Sequence, residues 1–191
     1  KSPLSKNKAS DKRFNPVYSF LVYHPNHGYI LIDTGIHASF AEKKFGNFGC
    51  LLGSMVKVNT SYGLDVSSQL KNAGVSSSEV KHIILSHLHL DHPGGLPAFN
   101  SKNGVTVHTD GEELKIARSY LAIFKGYIRK HLEGFNIHPF HYQKSIPPFE
   151  NVCDLFDDGS IFIVRTPGHT PGHTSAILNM SNGPMFLTFD A

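Results

Sequence analysis

A chain of 191 residues with 40% apolar side chains is long enough to bury one core and too apolar to stay disordered. Its formal net charge of +3 sits at the start: residues 1–13 carry five basic side chains and one acid, and the remainder is nearly neutral, with 13 basic and 14 acidic residues. That distribution argues against a nucleic-acid groove, which needs Lys and Arg spread over folded surface. Residues 1–13 read as a basic flexible tail before a single domain over 14–191.

Two cysteines, Cys50 and Cys153, allow at most one disulfide and fit a reducing, cytoplasmic setting. With no ligand-spaced neighbour, both read as small apolar fillers. The longest charge-free stretch, 14–32, is interrupted by Pro16, Pro25 and Gly28, so no membrane span is expected. The first residue is Lys rather than Met, and a missing N-terminal piece is expected.

In chain order, 17–23 and 29–33 are β-rich apolar runs around the turn HPNHG, and they predict a hairpin buried on both faces. Residues 46–62 read as irregular. Leu64, Leu70 and Ala73, ended by Gly74, predict a short helix. Residues 80–85 predict a buried strand and 105–108 a short one. Leu114, Ala117, Leu121, Phe124, Ile128 and Leu132 recur in steps of three and four, which predicts one helix over 112–132. Residues 133–150 read as loop, and 161–164, 174–180 and 184–189 as closing strands. Alternating strands and helices with hairpins at both ends predict a layered α/β or α+β domain.

Thirteen histidines in this length direct attention to metal. SHLHLDHPGG at 86–95 follows the 80–85 strand, and in an extended loop His87, His89 and Asp91 point to one side while His92 points elsewhere. Four ligand-type residues in six positions suit zinc, and also iron, manganese or cobalt. RTPGHTPGHTS at 165–175 adds His169 as a further ligand, with His173 reading as packing or as support for the ligand loop. Asp190 ends the last strand, where a carboxylate could reach a second metal. His24 and His27 fill a turn, His82 and His108 sit partly buried in strands, and His131, His138 and His141 read as solvent-facing.

HLHLDH at 87–92, TPGHTPGH at 166–173 and TFDA at 188–191, preceded by LIDTG at 31–35, resemble the metallo-β-lactamase superfamily over roughly 16–191. The resemblance implies an αββα sandwich built from two similar halves. It implies two divalent metal ions, zinc foremost: His87, His89 and His169 bind one, Asp91 and His92 bind the other, and Asp190 bridges both. Asp33 would orient the ligand loop without touching metal. TFDA is more like the N-acyl-homoserine lactone hydrolases than the glyoxalase branch, which typically shows Gly-Asp-Thr there. The family's final metal-binding histidine and the lactonase tyrosine fall beyond Ala191, so a truncated product, incomplete at the C-terminal end of the fold, is expected, with an unfilled second site.

The function implied is hydrolysis by a metal-bound hydroxide, opening a lactone or cleaving a related ester or thioester, with Asp91 shuttling a proton to the leaving group. An N-acyl-homoserine lactone, and hence quorum quenching, is the leading substrate reading. The partner expected is a small molecule, with no nucleic acid and no membrane. Aromatic residues crowd 118–150, and Tyr120, Phe124 and Phe135 would supply an apolar wall for an acyl chain, or simply belong to the core and its loop cover. The alternatives are a glyoxalase-type thioester hydrolase, a nuclease on this fold, and a non-catalytic remnant. An oxygen-reducing di-iron protein is disfavoured, because those relatives carry Glu where His89 stands.

Overall fold

The computed structural model describes residues 15–99 and 104–191; the basic tail over 1–13 lies outside the described residues. Strand β1 (Phe20–His24) pairs antiparallel with β2 (Gly28–Ile32), and the His24 Nδ1 accepts from the amides of Asn26 and His27 to close the turn. Strands β3 (Val80–Ile84), β4 (Thr106–Thr109) and β5 (Ile137–Pro139) add in parallel, giving the order β1-β2-β3-β4-β5. Strands β6 (Lys144–Ile146), β7 (Phe149–Asp154), β8 (Ile161–Arg165), β9 (Thr174–Met180) and β10 (Gly183–Leu187) form a second, antiparallel meander. Helices α1 (Gly49–Met55), α2 (Val66–Asn72) and α3 (Gly111–Ala117) lie in the connections of the first half.

The alternation of side chains across the first sheet builds two cores. Leu31, Ile83, Leu85 and Val107 face α2 and α3, where they meet Val66, Leu70, Leu114 and Ala117. Ile30, Ile32 and Ile84 face the other way, onto Ile161, Ile163, Ala176 and Leu178 of the second sheet. Strands β2 and β3 are therefore covered on both faces, which is why their sequences read as continuous apolar runs. Each fully buried Ile or Leu contributes roughly 1.5–3 kcal/mol by leaving water. This two-sheet mixed architecture is the layered arrangement of strands and helices that the sequence predicted.

The structure corrects several expectations. The apolar steps over 112–132 do not form one helix: α3 ends at Ala117, and 3-10 turns follow at Ala122–Lys125 and Arg129–Leu132. Gly126 adopts φ +82°, and the backbone there is drawn onto the ligand loop, Leu90 N donating to Gly126 O at 2.9 Å. Tyr127 thereby replaces Phe124 in the core. Strand β1 alternates between partly buried and exposed because it is an edge strand, not a strand buried on both faces. Residues 46–62 contain α1, and 133–150 contain β5, β6 and the start of β7, strands too short for their periodicity to register. His131 is buried at 2% exposure with Nε2 3.3 Å from Asn47 O, whereas His138 and His141 are exposed. Both cysteines are free; Cys153 packs in the core and Cys50 is exposed, so only the former is a filler. No helix among the described residues is long and apolar enough to cross a membrane.

Candidate metal centre

The C-terminal ends of β2 and β3 deliver the first half of the site. Asp33 follows β2 in a left-handed conformation (φ +55°), held by its amide donating to Ile84 O at 2.8 Å. Its fully buried carboxylate accepts from Ser86 N (2.8 Å), Ser86 Oγ (2.7 Å) and His92 Nδ1 (2.8 Å). Beyond Ser86 the chain runs through His87 to His92 and then turns at Pro93-Gly94-Gly95. A Cβ on Gly95 would fall 2.2 Å from Thr34 O, so only glycine lets this loop lie against the 33–35 segment.

Hydrogen bonding fixes which ring nitrogen of His87 and of His173 carries the proton. Ser86 Oγ donates to Asp33 and therefore accepts from His87 Nδ1 at 3.1 Å, which leaves a lone pair on His87 Nε2. That nitrogen is buried and has no hydrogen-bond partner among the described residues. Burial, followed by the surrounding imidazoles of His92, His89, His173 and His169, drives the His87 pKa far below the ordinary range, so the ring stays neutral. His173 is set in the same way: Nδ1 lies 3.1 Å from the Thr166 carbonyl, and the buried Nε2 is again bare. A lone pair inside protein with no donor to meet it is costly unless a cation completes it.

The β8–β9 loop and the turn after β10 bring the second half; Asp190 lies three residues past the strand it was expected to end. The His89 and His169 rings meet, with Nδ1 to Nε2 at 2.9 Å, and the His87 and His169 centroids stand 4.9 Å apart. Asp190 Oδ2 lies 3.6 Å from His92 Nε2 and 3.5 Å from His169 Nε2, between the two groups. Two donor sets result, His87 with His89 and His169, and His87 with His92 and Asp190; within each, the ligand atoms lie within 4.8 Å of one another. Nitrogens sharing one zinc at 2.0–2.1 Å stand about 3.4 Å apart, so the His89–His169 pair widens slightly from 2.9 Å and the wider pairs close in to seat an ion, and the residues present fit it. Burial opposes the charge on His92, but Asp33, Asp190 and Asp91 outweigh it and hold its pKa up to about 10.

Asp91 belongs to neither donor set; it faces a cleft of about 840 Å³ lined also by Ile36, Phe48, Val58, Leu64 and Leu90. Tyr120, Phe124 and Phe135 do not line it. Tyr120 and Phe124 stand exposed where the expected helix breaks, and Phe135 packs against the first core. Sequence reasoning missed Glu113, fully buried beneath the ligand loops, and counted Tyr127 only among the aromatics of 118–150, whereas its hydroxyl donates to Glu113 at 3.0 Å. The available signal was Asp110-Gly111-Glu112-Glu113, a helix start whose last acid shares the inward face with Ala117.

A separate group, His24, His27 and Asp158, also has closely spaced donor atoms. There the His24 Nδ1 accepts two backbone amides, which places the proton on Nε2, facing Asp158 and Ser160 at 3.0 Å each. That ring presents an N–H rather than a lone pair, and it braces the hairpin turn.

Residues 13–188 match the metallo-beta-lactamase superfamily. The N-acyl homoserine lactonase AttM of Azorhizobium caulinodans is 30% identical over 177 residues, covering 92% of this chain and 65% of the relative. The N-acyl homoserine lactonase AiiA of Bacillus thuringiensis subsp. kurstaki is 28% identical over 177 residues, with 92% and 64% covered. The chain thus spans about 65% of the length of the curated relatives it matches. Among solved structures, a B. thuringiensis AiiA variant with N-decanoyl-L-homoserine at its active site superposes with a TM-score of 0.67 at 24% identity, over 91% of this chain and 62% of that one. The dizinc quorum-quenching lactonase AidC gives 0.58 at 18% identity, over 87% and 53%. By the extent of the family match, this chain belongs to the metallo-beta-lactamase superfamily.

Proposed function

We propose that residues 14–191 form the metal-binding part of a hydrolase that opens the ring of N-acyl homoserine lactones. The observation that carries this reading is the convergence of the bare His87 Nε2 with His89, His169, His92 and Asp190 at the mouth between the sheets. The relatives that match along the same length are named for lactone hydrolysis. Zinc is the proposed ion, held by His87, His89 and His169, with His92 and Asp190 offering a second position and Asp190 placed to serve both.

A divalent cation bound there supplies a Lewis acid and brings the pKa of water from about 15.7 to about 7. The chain's own residues do the rest. Asp33 keeps His87 and His92 turned with Nε2 toward the site. Asp91, on the wall of the cleft, takes a proton from the attacking water and passes it to the alkoxide that leaves when the ring opens. The apolar side of the cleft, with Ile36, Phe48, Val58 and Leu64, receives the acyl chain, opposite polar side chains such as Asn59 and Gln69. The substrate is a small molecule.

The test is proton release on adding N-acyl homoserine lactones of graded chain length to the zinc-loaded chain, with a thioester and a single-stranded RNA as alternatives. The expected result is zinc-dependent lactone opening, lost in His87→Ala and His169→Ala and slowed about 10²- to 10⁴-fold in Asp91→Asn. Zinc-loaded protein that leaves lactones intact, or that cleaves the RNA in preference, contradicts the proposal.

A further inference from the structure

Glu113 lies on α3, outside every motif, and is 0% exposed. Its Oε2 accepts from Leu88 N at 2.9 Å and from the Tyr127 hydroxyl at 3.0 Å, and its Oε1 accepts from Gly172 N at 2.9 Å. Leu88 stands between His87 and His89; Gly172 stands between His169 and His173. One carboxylate therefore joins the two loops that carry the candidate ligands. These three partners are neutral, so the burial cost of the carboxylate is met by hydrogen bonds rather than by an ion pair.

Two further features show that this junction is built closely. A Cβ on Gly172 would lie 2.8 Å from Glu113 Cγ and 2.9 Å from Glu113 N, so the loop rests directly on the start of α3. Asp110, which caps α3 by accepting from Glu112 N at 2.8 Å, also accepts from the Tyr142 hydroxyl at 2.6 Å and sits 3.1 Å from Arg165 Nε. The first turn of α3 is thus fastened to the second sheet and its loop through two carboxylates, while Glu113 alone of the two reaches the 86–92 loop. Tyr127 adds a second tie, since its backbone bridges His89.

We infer that Glu113 is a positioning residue: by holding the amides of Leu88 and Gly172 on one carboxylate, it sets the separation of the two ligand loops and hence the approach of His87 and His89 to His169. The inference rests on the cation site proposed above for its consequence, though the loop junction itself does not depend on an ion.

The test compares Glu113→Gln, Glu113→Ala and Tyr127→Phe with the parent chain, and uses the exposed neighbour Glu112→Gln as a control. Two quantities are read: Co²⁺ affinity and band shape from its visible absorption, and hydrogen-exchange protection of the Leu88 and Gly172 amides without metal. Both Glu113 variants should bind Co²⁺ about 10- to 100-fold more weakly with an altered band. They should lose protection at Leu88 and Gly172 together, whereas Glu112→Gln matches the parent. Tyr127→Phe should shift the same readouts in the same direction by less, and it decides the matter if Glu113→Ala does not fold. Folded Glu113 variants with parental Co²⁺ affinity, band and protection overturn the inference. If the parent chain takes up no Co²⁺, the cation reading fails, and amide exchange alone decides the role of Glu113: joint loss at both amides supports it, and loss at one or neither overturns it.

Discussion

Replacing Asp33 by Ala removes the acceptor on which the whole ligand loop turns. Ser86 N, Ser86 Oγ and His92 Nδ1 all donate to it in a fully buried position, and His92 itself is 5% exposed. Breaking a buried charged pair by deleting one partner costs about 3–5 kcal/mol. The raised pKa of His92 gives an independent figure. The difference between about 10 and the ordinary 6.5 is worth ~5 kcal/mol, shared by Asp33, Asp190 and Asp91 against burial. A base whose pKa is raised on folding stabilises fully below its unfolded value and loses that contribution as pH climbs through the folded one. In metal-free protein, Asp33→Ala should therefore lower unfolding free energy by about 3–5 kcal/mol at pH 6, and by roughly 2 kcal/mol less than that at pH 9. Urea denaturation with chelator at both pH values measures this. A loss below ~1 kcal/mol at pH 6, or one that grows toward pH 9, refutes the role given to Asp33.

Gly95→Ala places a Cβ 2.2 Å from Thr34 O, a backbone atom that cannot swing aside, and should cost about 2–4 kcal/mol in thermal unfolding while weakening zinc binding, because Asp33 moves with the 33–35 segment. His131 supplies a pH prediction away from the metal centre. Burial, only partly offset by the hydrogen bond to Asn47 O, lowers its pKa to about 4, so folding must leave it neutral. Stability then falls as pH drops below about 6.5, by ~2 kcal/mol at pH 5, and His131→Gln should flatten the chelated stability profile between pH 6.5 and 4. An unchanged slope in that variant would count against the buried neutral ring.

The parts of this molecule legible in its sequence are those where local pattern and tertiary role coincide. The apolar runs of β2 and β3 are buried on both faces, and the histidines of 87–92 and 169 lie in loops at strand ends, where the sequence pattern set them. What was illegible depended on distant atoms. The 112–132 periodicity promised a long helix, but contact between Gly126–Tyr127 and the His89–Leu90 backbone broke it, and a left-handed glycine made the break affordable. Phe124 and Tyr120 looked like a wall because aromatics usually are one; once the helix ended at Ala117 they had nothing to face. Glu113 looked like one more surface acid on a helix start, since the amides it serves come from Leu88 and Gly172, far away in the chain. His131 looked exposed for the same reason, its partner being Asn47.

X-ray absorption of the chain loaded with one equivalent of zinc tests the central claim most directly, because it reads the ligands rather than their consequences. The account predicts a zinc bound by about three imidazole nitrogens at 2.0–2.1 Å, with one fewer imidazole or loss of binding in both His87→Ala and His169→Ala. Zinc whose surroundings are the same in both variants as in the parent chain would mean that those two loops do not share an ion.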